Sequence, residues 1–456
     1  MTSDGATRPL VDSGEVQHEA LGAWLFLLLQ RDRPLEPSAR YRLNRDVVVL
    51  GRGARGHRTT KHERTITIDD PWMSTSHAKL VREASGWSLE DAGSRNGTVH
   101  QGVAVERVAL RDGDIIEVGR TFLLFRAALP TPIEAGDLDD EAQVASFGSV
   151  FRTLSPGLAT ALGRLARVAA SPLSIVLIGE TGTGKEVFSR ALHQLSERRG
   201  PFVAVNCAAL PDSLVHSELF GHKKGAFSSA IEDRPGHVRS ADRGTLLLDE
   251  LADLTAAGQG ALLRVLQERE VVPVGDQRPI AVDVRVIGAT NRELATLSQG
   301  GSFREDLLAR LSGFVFRIPP LRDRREDLGL LLRALISAHA PDPRAVTLGQ
   351  EAARLLLAHR WPANVRELET TIAAAIAQAG EGPIQAHHLP EQLRPQPPQA
   401  SAPRTSEADD ERRARLVRLL TETRGNISQV ARTMGTARAQ IHRWLRRYEL
   451  DPDTFR

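Results

Sequence analysis

Residues 179–186 read Gly179-Glu180-Thr181-Gly182-Thr183-Gly184-Lys185-Glu186, a spacing of glycines around a lysine that suits the phosphates of a nucleotide. The glycines let backbone N–H groups turn toward the β- and γ-phosphates, a following helix adds the positive end of its dipole, and Lys185 places a charge on the anion. Such a loop needs a strand before it and a helix after it. The near-continuous apolar run at 174–178 and the helical pattern from Val187 to about Leu195 meet both requirements. One position departs from the generic motif: Glu186 stands where Ser or Thr meets magnesium. A second apolar run, 246–248, ends in Asp249-Glu250. An acidic pair at the carboxyl end of a strand suits coordination of Mg2+ by Asp249 and activation of a water by Glu250. The expected chemistry is binding and hydrolysis of ATP.

The elements that must position these residues divide the chain into three parts. With 456 residues, 41% hydrophobic and 25% charged, it is long enough for several ordinary globular domains. A net charge of +2 gives the whole molecule no anion preference, so any such preference is local. A single cysteine, Cys207, rules out a disulfide framework within one chain. The apolar run 24–29 is far shorter than the roughly 20 residues that span a bilayer, and the start of the chain is too acidic for a signal peptide. The expected location is cytoplasmic, with no membrane partner.

Two stretches read as linkers. Residues 128–146 carry Pro130, Pro132 and an acidic cluster, and 395–405 are Pro-rich. Residues 20–127 show short apolar runs punctuated by Gly and Asp turns, which predicts a compact β-sandwich or barrel, the sandwich being what the resemblance described below implies. Residues 147–394 alternate solid apolar strands at 174–178, 203–205, 245–248 and 284–288 with helical stretches, which predicts a buried parallel sheet in an α/β domain. Residues 406–456 are short, helical and basic. The fold class is therefore multidomain: β-sandwich, then α/β, then all-α.

From about 150 to 394 the chain resembles the AAA+ domain of the sigma-54-dependent transcription activators, the bacterial enhancer-binding proteins. The P-loop of that family ends in Lys-Glu, so Glu186 is the family's own residue. The resemblance continues through Asn206-Cys207-Ala208, Glu218-Leu219-Phe220-Gly221-His222, Ala289-Thr290-Asn291, Phe303-Arg304-Glu305-Asp306-Leu307 and Trp361-Pro362-Ala363-Asn364-Val365-Arg366-Glu367-Leu368. It implies that Asn206 holds Glu250 in a switchable contact and that Thr290 and Asn291 sense the γ-phosphate. It further implies that Arg304 and Arg310 act as arginine fingers across a subunit boundary, and that Arg366, on a helical lid from about residue 320, acts as a second sensor. Fingers acting in trans imply a ring, a hexamer or heptamer.

The family also carries a Gly-Ala-Phe-Thr-Gly-Ala loop that grips the sigma-54 RNA polymerase holoenzyme. Here the run is Gly225-Ala226-Phe227-Ser228-Ser229-Ala230. Phe227 is kept and Ser228 keeps a hydroxyl, but Ser229 in place of glycine restricts a backbone that must refold. This departure leaves a second reading open, a DNA-binding regulator with an AAA+ fold that acts without sigma-54.

The first part resembles a forkhead-associated (FHA) domain, which binds phosphothreonine peptides. Gly51-Arg52, the Ser74/His77 spacing and Ser94-Arg95-Asn96-Gly97-Thr98 carry the resemblance. Arg52 supplies a charged fork and Ser74 a hydroxyl for one dianionic group, with Thr75 and Arg95 assisting. Asn96 would hold the peptide backbone and His77 would buttress the loops. The implied partner is a phosphothreonine-containing protein or a Ser/Thr kinase.

Between Glu411 and Glu449 ten arginines face three glutamates, a net of +7 that suits phosphate contacts. Two helical runs flank Gly435-Thr436 at helix-turn-helix spacing, and the region resembles the Fis-type module of the same activator family. Ile441, Trp444 and Leu445 are expected to face the core, with Arg438, Gln440, His442 and Arg443 reading DNA at enhancer-like upstream sites.

Overall fold

The computed structural model describes residues 20–132, 135–138, 152–211, 213–228, 230–394, 407–434, 436, 438–448 and 450–455. The chain divides into two units after Arg394. The Pro-rich stretch 395–405 and residues 139–146 lie outside the described residues.

The first region is a sandwich of two sheets. One is formed by β1 (Ala20–Gln30), β2 (Ala39–Arg42), β8 (Thr98–His100), β9 (Val103–Val105), β11 (Ile115–Val118) and β12 (Thr121–Thr131), in the order β2-β1-β12-β11-β8-β9. The other is formed by β3 (Val47–Arg52), β4 (Gly56–Thr59), β5 (Glu63–Ile68), β6 (Ala78–Glu83), β7 (Gly86–Asp91) and β10 (Arg107–Leu110), in the order β10-β7-β6-β3-β5-β4. Alternate residues Leu25, Leu27, Ile116, Val118, Leu123 and Phe125 fill the space between the sheets with Leu50, Ile66, Leu80 and Leu89.

The residues between them are equally apolar. Trp24, Phe26, Leu28, Ile115, Phe122 and Leu124 face the other way, into a second core built with the last helices of the same unit: Leu328–His339, Gln350–Ala358 and Asn364–Ala379. A strand buried on both faces loses its in/out alternation, which is why 24–29 reads as a solid apolar run. The contact is close: a Cβ on Gly329 would stand 1.9 Å from the carbonyl oxygen of Leu28.

β12 runs to Thr131, so residues 128–131, assigned to a linker on sequence grounds, continue the sheet: Leu129 is buried, and Thr131 Oγ1 accepts a bond from Trp24 Nε1 at 2.9 Å. Pro130 lies opposite Leu21, beyond the reach of β11, where a strand tolerates proline. Residues 135–138 then return to β2. Arg40 and Leu138 exchange backbone bonds of 2.8 and 3.0 Å, and Asp137 accepts from the Arg42 N–H and from Arg64.

The second region contains a parallel sheet of β13 (Ile175–Ile178), β14 (Phe202–Asn206), β15 (Thr245–Asp249), β18 (Arg285–Thr290) and β19 (Phe314–Arg317), in the order β14-β15-β18-β13-β19. A short hairpin of β16 (Glu270–Val271) and β17 (Ile280–Ala281) lies outside it. Helices cover both faces, so β15 and β18 are buried almost throughout. The four strands expected from the sequence are present, and β19 adds a fifth beside β13.

The second unit holds helices Glu407–Glu422, Ile427–Thr433 and Arg438–Arg447 around Leu416, Leu420, Val430, Ile441 and Leu445. Among the described residues no helix is long and apolar enough to cross a membrane.

Candidate nucleotide-binding site and ligand loops

β13 delivers the chain into the loop 179–184, and the helix Lys185–Leu195 starts at Lys185. Gly182 and Gly184 adopt φ of +79° and +96°, backbone that side chains rarely tolerate. The loop is held from inside. Thr183 Oγ1 donates to the Glu180 carbonyl at 2.8 Å, and Lys185 Nζ donates to the Gly179 carbonyl at 3.0 Å. Gly179 N–H donates to the Thr290 carbonyl at 3.0 Å, which ties the loop to the end of β18. Thr290 is fully buried, its hydroxyl accepting from Arg292 N–H, while Asn291 is exposed.

Asp249 ends β15 at the same carboxyl edge of the sheet, one strand beyond β18, and accepts from the Glu250 N–H at 3.0 Å. Glu250 itself sits at φ +50°, a left-handed conformation that costs free energy in a non-glycine residue and clusters at working sites. Asn206 pairs with Asp249 across β14 and β15, and its side-chain oxygen accepts from Ala208 N–H. Glu186 is exposed and pairs with Arg190 one turn along its own helix, at 2.7 Å.

Two residues here had no role assigned from the sequence: Arg322, and Asn364, which was noted only as part of the motif 361–368. Arg322 donates to both carboxylate oxygens of Glu180, at 2.7 and 2.6 Å, and so holds that carboxyl below its ordinary value. Asn364, fully buried and at φ +58°, donates through Nδ2 to the Thr181 carbonyl at 3.0 Å and to Glu180 at 3.2 Å. The N–H groups of Val365 and Arg366 both reach the Gly182 carbonyl. Gly182 has no room for a side chain: a Cβ would lie 2.1 Å from the Ala363 carbonyl oxygen. The advance signals for Asn364 were its place in the motif 361–368 and its residue type, an asparagine, which tolerates left-handed backbone, at the first position of a helix.

Arg304 caps the helix Glu305–Leu311 and Arg310 lies on it; both are exposed, the first pairing with Asp306 at 2.7 Å. In the loop 225–230, Gly225 N–H bonds the Ala230 carbonyl at 2.8 Å, and Phe227, half-buried, lies against the His222 ring at 4.8 Å. Ala226 packs on Gly275 and Ser228 is exposed, whereas Ser229 lies outside the described residues.

In the sandwich, the loops after β3, β5 and β7 converge. Arg52 N–H donates to the Ser74 carbonyl, Arg95 N–H donates to Ser74 Oγ at 3.1 Å, and Asn96 Nδ2 donates to the Trp72 carbonyl at 2.7 Å. Arg52, Thr75, Arg95 and Asn96 are exposed. His77 is fully buried: its Nδ1 accepts from Ser74 N–H, which leaves Nε2 to donate to the Gly97 carbonyl, both at 3.1 Å. It fastens two loops together and is closed to ligand.

In the third helix of the second unit Ile441 and Leu445 are buried and Trp444 is half-buried against them. Arg438 and His442 are exposed and Gln440 half-exposed; the Arg443 side chain lies outside the described residues.

The donors suit Mg·ATP. Two glycines with positive φ precede a helix N-terminus, a geometry that fits an anion, and Asp249 offers a hard oxygen. Among the described residues no cluster of three or more metal-ligating side chains occurs.

Four family models match the chain: the Sigma-54 interaction domain at 152–317, the AAA+ ATPase lid domain at 322–406, the FHA domain at 48–119 and a homeodomain-like domain at 407–452. The transcriptional regulatory protein GlrR of Escherichia coli is 40% identical over 310 residues, covering 67% of this chain and 69% of that protein. The Sigma54-dependent transcriptional activator SfnR of Pseudomonas putida is 44% identical, over 57% of this chain and 70% of that protein. The acetoin catabolism regulatory protein of Cupriavidus necator is 40% identical, over 72% of this chain but 51% of its own length; the chain thus spans about half of that relative. Among solved structures, NtrX from Brucella abortus in complex with ADP matches at 31% identity and a TM-score of 0.50, over 64% of this chain and 68% of that one.

Proposed function

The chain belongs to the family of sigma-54-dependent transcriptional activators, and from that premise we propose that it uses ATP hydrolysis to remodel sigma-54 RNA polymerase under phosphothreonine control while bound to DNA. The observation that supports this reading is the placement of Lys185, Asp249, Glu250 and Thr290 along the carboxyl edge of one parallel sheet, with Asn364 and Arg366 bonded to the loop. In this reading residues 179–186 cradle the phosphates, and Lys185 leaves its carbonyl partners for them. Asp249 holds Mg2+, which neutralises phosphate charge. Glu250, oriented by Asn206, takes a proton from the attacking water; Thr290 and Asn291 sense the γ-phosphate and Arg366 the lid position. Arg304 and Arg310 would serve the neighbouring subunit of a hexameric or heptameric ring, where they offset charge developing in phosphoryl transfer.

The loop 225–230 carries the output to sigma-54, with Phe227 as its apolar tip. Arg52, Ser74, Thr75, Arg95 and Asn96 take the phosphothreonine of a partner protein or kinase. Arg438, Gln440, His442 and Arg443 read DNA.

The test is open-complex formation by sigma-54 holoenzyme with this protein and ATP, repeated with Ser229→Gly. Open complexes with the wild-type chain are expected. Their absence in both proteins, with ATP still hydrolysed, would favour a regulator that acts without sigma-54.

A further inference from the structure

The sheet that carries β1, β11 and β12 has two buried faces, and the second is covered by the ATPase lid. Trp24, Phe26, Leu28, Phe122 and Leu124 share one core with Leu328, Leu332, Ile336, Leu356 and Trp361. Polar contacts rim it. Glu117, almost fully buried, accepts from Arg354 at 2.7 and 2.9 Å and from Gln350 at 3.0 Å. Arg126 donates to the buried Glu326 at 2.9 Å, and Arg325 donates to the Gly113 carbonyl at 3.0 Å. A bidentate pair taken out of water is orienting, because neither partner can be left alone cheaply. Domains that merely touch have smaller, wetter contacts.

Each end of this body meets a ligand site. At one end the lid residues Asn364 and Arg322 grip Glu180 of the P-loop. At the other, the β11–β12 turn supports the phosphothreonine loop: Asp70 accepts from Arg120 N–H at 2.7 Å and from Thr121 Oγ1 at 2.9 Å, and the Arg120 guanidinium lies 4.0 Å over the Trp72 ring. The Arg120 carbonyl accepts from Arg31 N–H, and the Arg31 carbonyl in turn accepts from Leu348 N–H of the lid.

We infer that the sandwich is the outer layer of the ATPase lid, folding and unfolding with it as one unit, so that nucleotide at the P-loop and a ligand at the Ser74 loop act on one body through Glu117–Arg354 and Arg126–Glu326. This rests on the nucleotide-binding reading above. A ligand that binds only the folded unit at 100 times its Kd slows exchange through unfolding of that unit about 100-fold. A separately folding sandwich would not respond to nucleotide at all.

Hydrogen exchange of the full chain with and without ADP tests this. The expected result is slowing of about 100-fold both in the helix Lys185–Leu195 and in the strands Ala20–Gln30 and Thr121–Thr131. Slowing in the helix alone overturns the inference and leaves nucleotide binding standing. No slowing anywhere overturns the nucleotide-binding reading and the inference with it. In Glu117→Gln and Arg354→Gln the helix is expected to respond while the strands lose most of their slowing, and the Glu117→Arg/Arg354→Glu exchange is expected to restore it. Strands that respond fully in both single variants overturn the assigned route. Arg107→Gln, at the exposed Arg107–Glu83 pair of the other sheet, is the control and keeps the wild-type response.

Discussion

Arg322 and Glu180 form a two-pronged ion pair of 2.7 and 2.6 Å between the base of the lid and the second residue of the phosphate loop. They are 142 positions apart in the chain, so the nucleotide loop is held in shape by a segment far from its motif. Both side chains are partly exposed, which limits the strength of the pair to that of a surface contact.

Arg322→Ala therefore weakens fluorescent ADP binding by a factor of roughly two to five, the range an exposed pair supports, while kcat changes less than KM for ATP. A kcat that collapses with KM unchanged would place Arg322 in the chemistry instead.

Lys185→Ala and Glu250→Gln are expected to fail differently. The first removes a charge from the phosphates and loses nucleotide binding. The second keeps ADP binding and lowers ATP turnover by about 100-fold or more, the usual contribution of a positioned base. Phosphate release measured beside a binding titration separates them.

At the sandwich, Arg52→Ala is expected to lose binding to a phosphothreonine peptide. Ser74→Ala weakens it twice over, because Ser74 Oγ also anchors the Arg95 N–H at 3.1 Å. Calorimetry with the phosphorylated and unphosphorylated peptide checks both, and unchanged affinity in Arg52→Ala counts against the site.

A pH effect follows from Asp327. Burial, then the neighbouring Glu326 carboxylate, push it up to about 7 from 3.8, against Arg324 and the bonds from Thr153 and Leu154. The folded chain then holds a proton that the unfolded chain releases. The stability this contributes is full below 3.8 and falls as pH rises through about 7. Thermal unfolding from pH 6 to 8 should show a decline that Asp327→Asn flattens.

Cys207 should be chemically silent. Burial, reinforced by Asp249, Asp253 and Glu250, raises its thiol to about 12, and only the thiolate reacts. A thiol reagent at pH 8 is expected to label it only after unfolding.

Much of this molecule was readable along the chain. The loop 179–186, Asp249-Glu250 and Thr290-Asn291 are contiguous motifs at strand ends, because a parallel sheet presents its chemistry where each strand meets the following loop. Ser74, His77 and Asn96 were likewise legible as a series of loop residues, and helix 438–447 showed its buried stripe by spacing. Sequence alone thus determined the three folds and the loops on which the expected phosphate-binding residues sit. Tertiary structure decided how they are joined. The run 24–29 declared itself apolar, but a period of two cannot say what covers the second face of a strand. That face is covered by helices some 300 residues later, and Glu117 and Arg126 found their partners only through it, just as Glu180 found Arg322 only across 142 positions of chain. Ion pairs between distant segments carry no local signature, since each side chain alone looks like an ordinary solvated charge until folding removes the water around it.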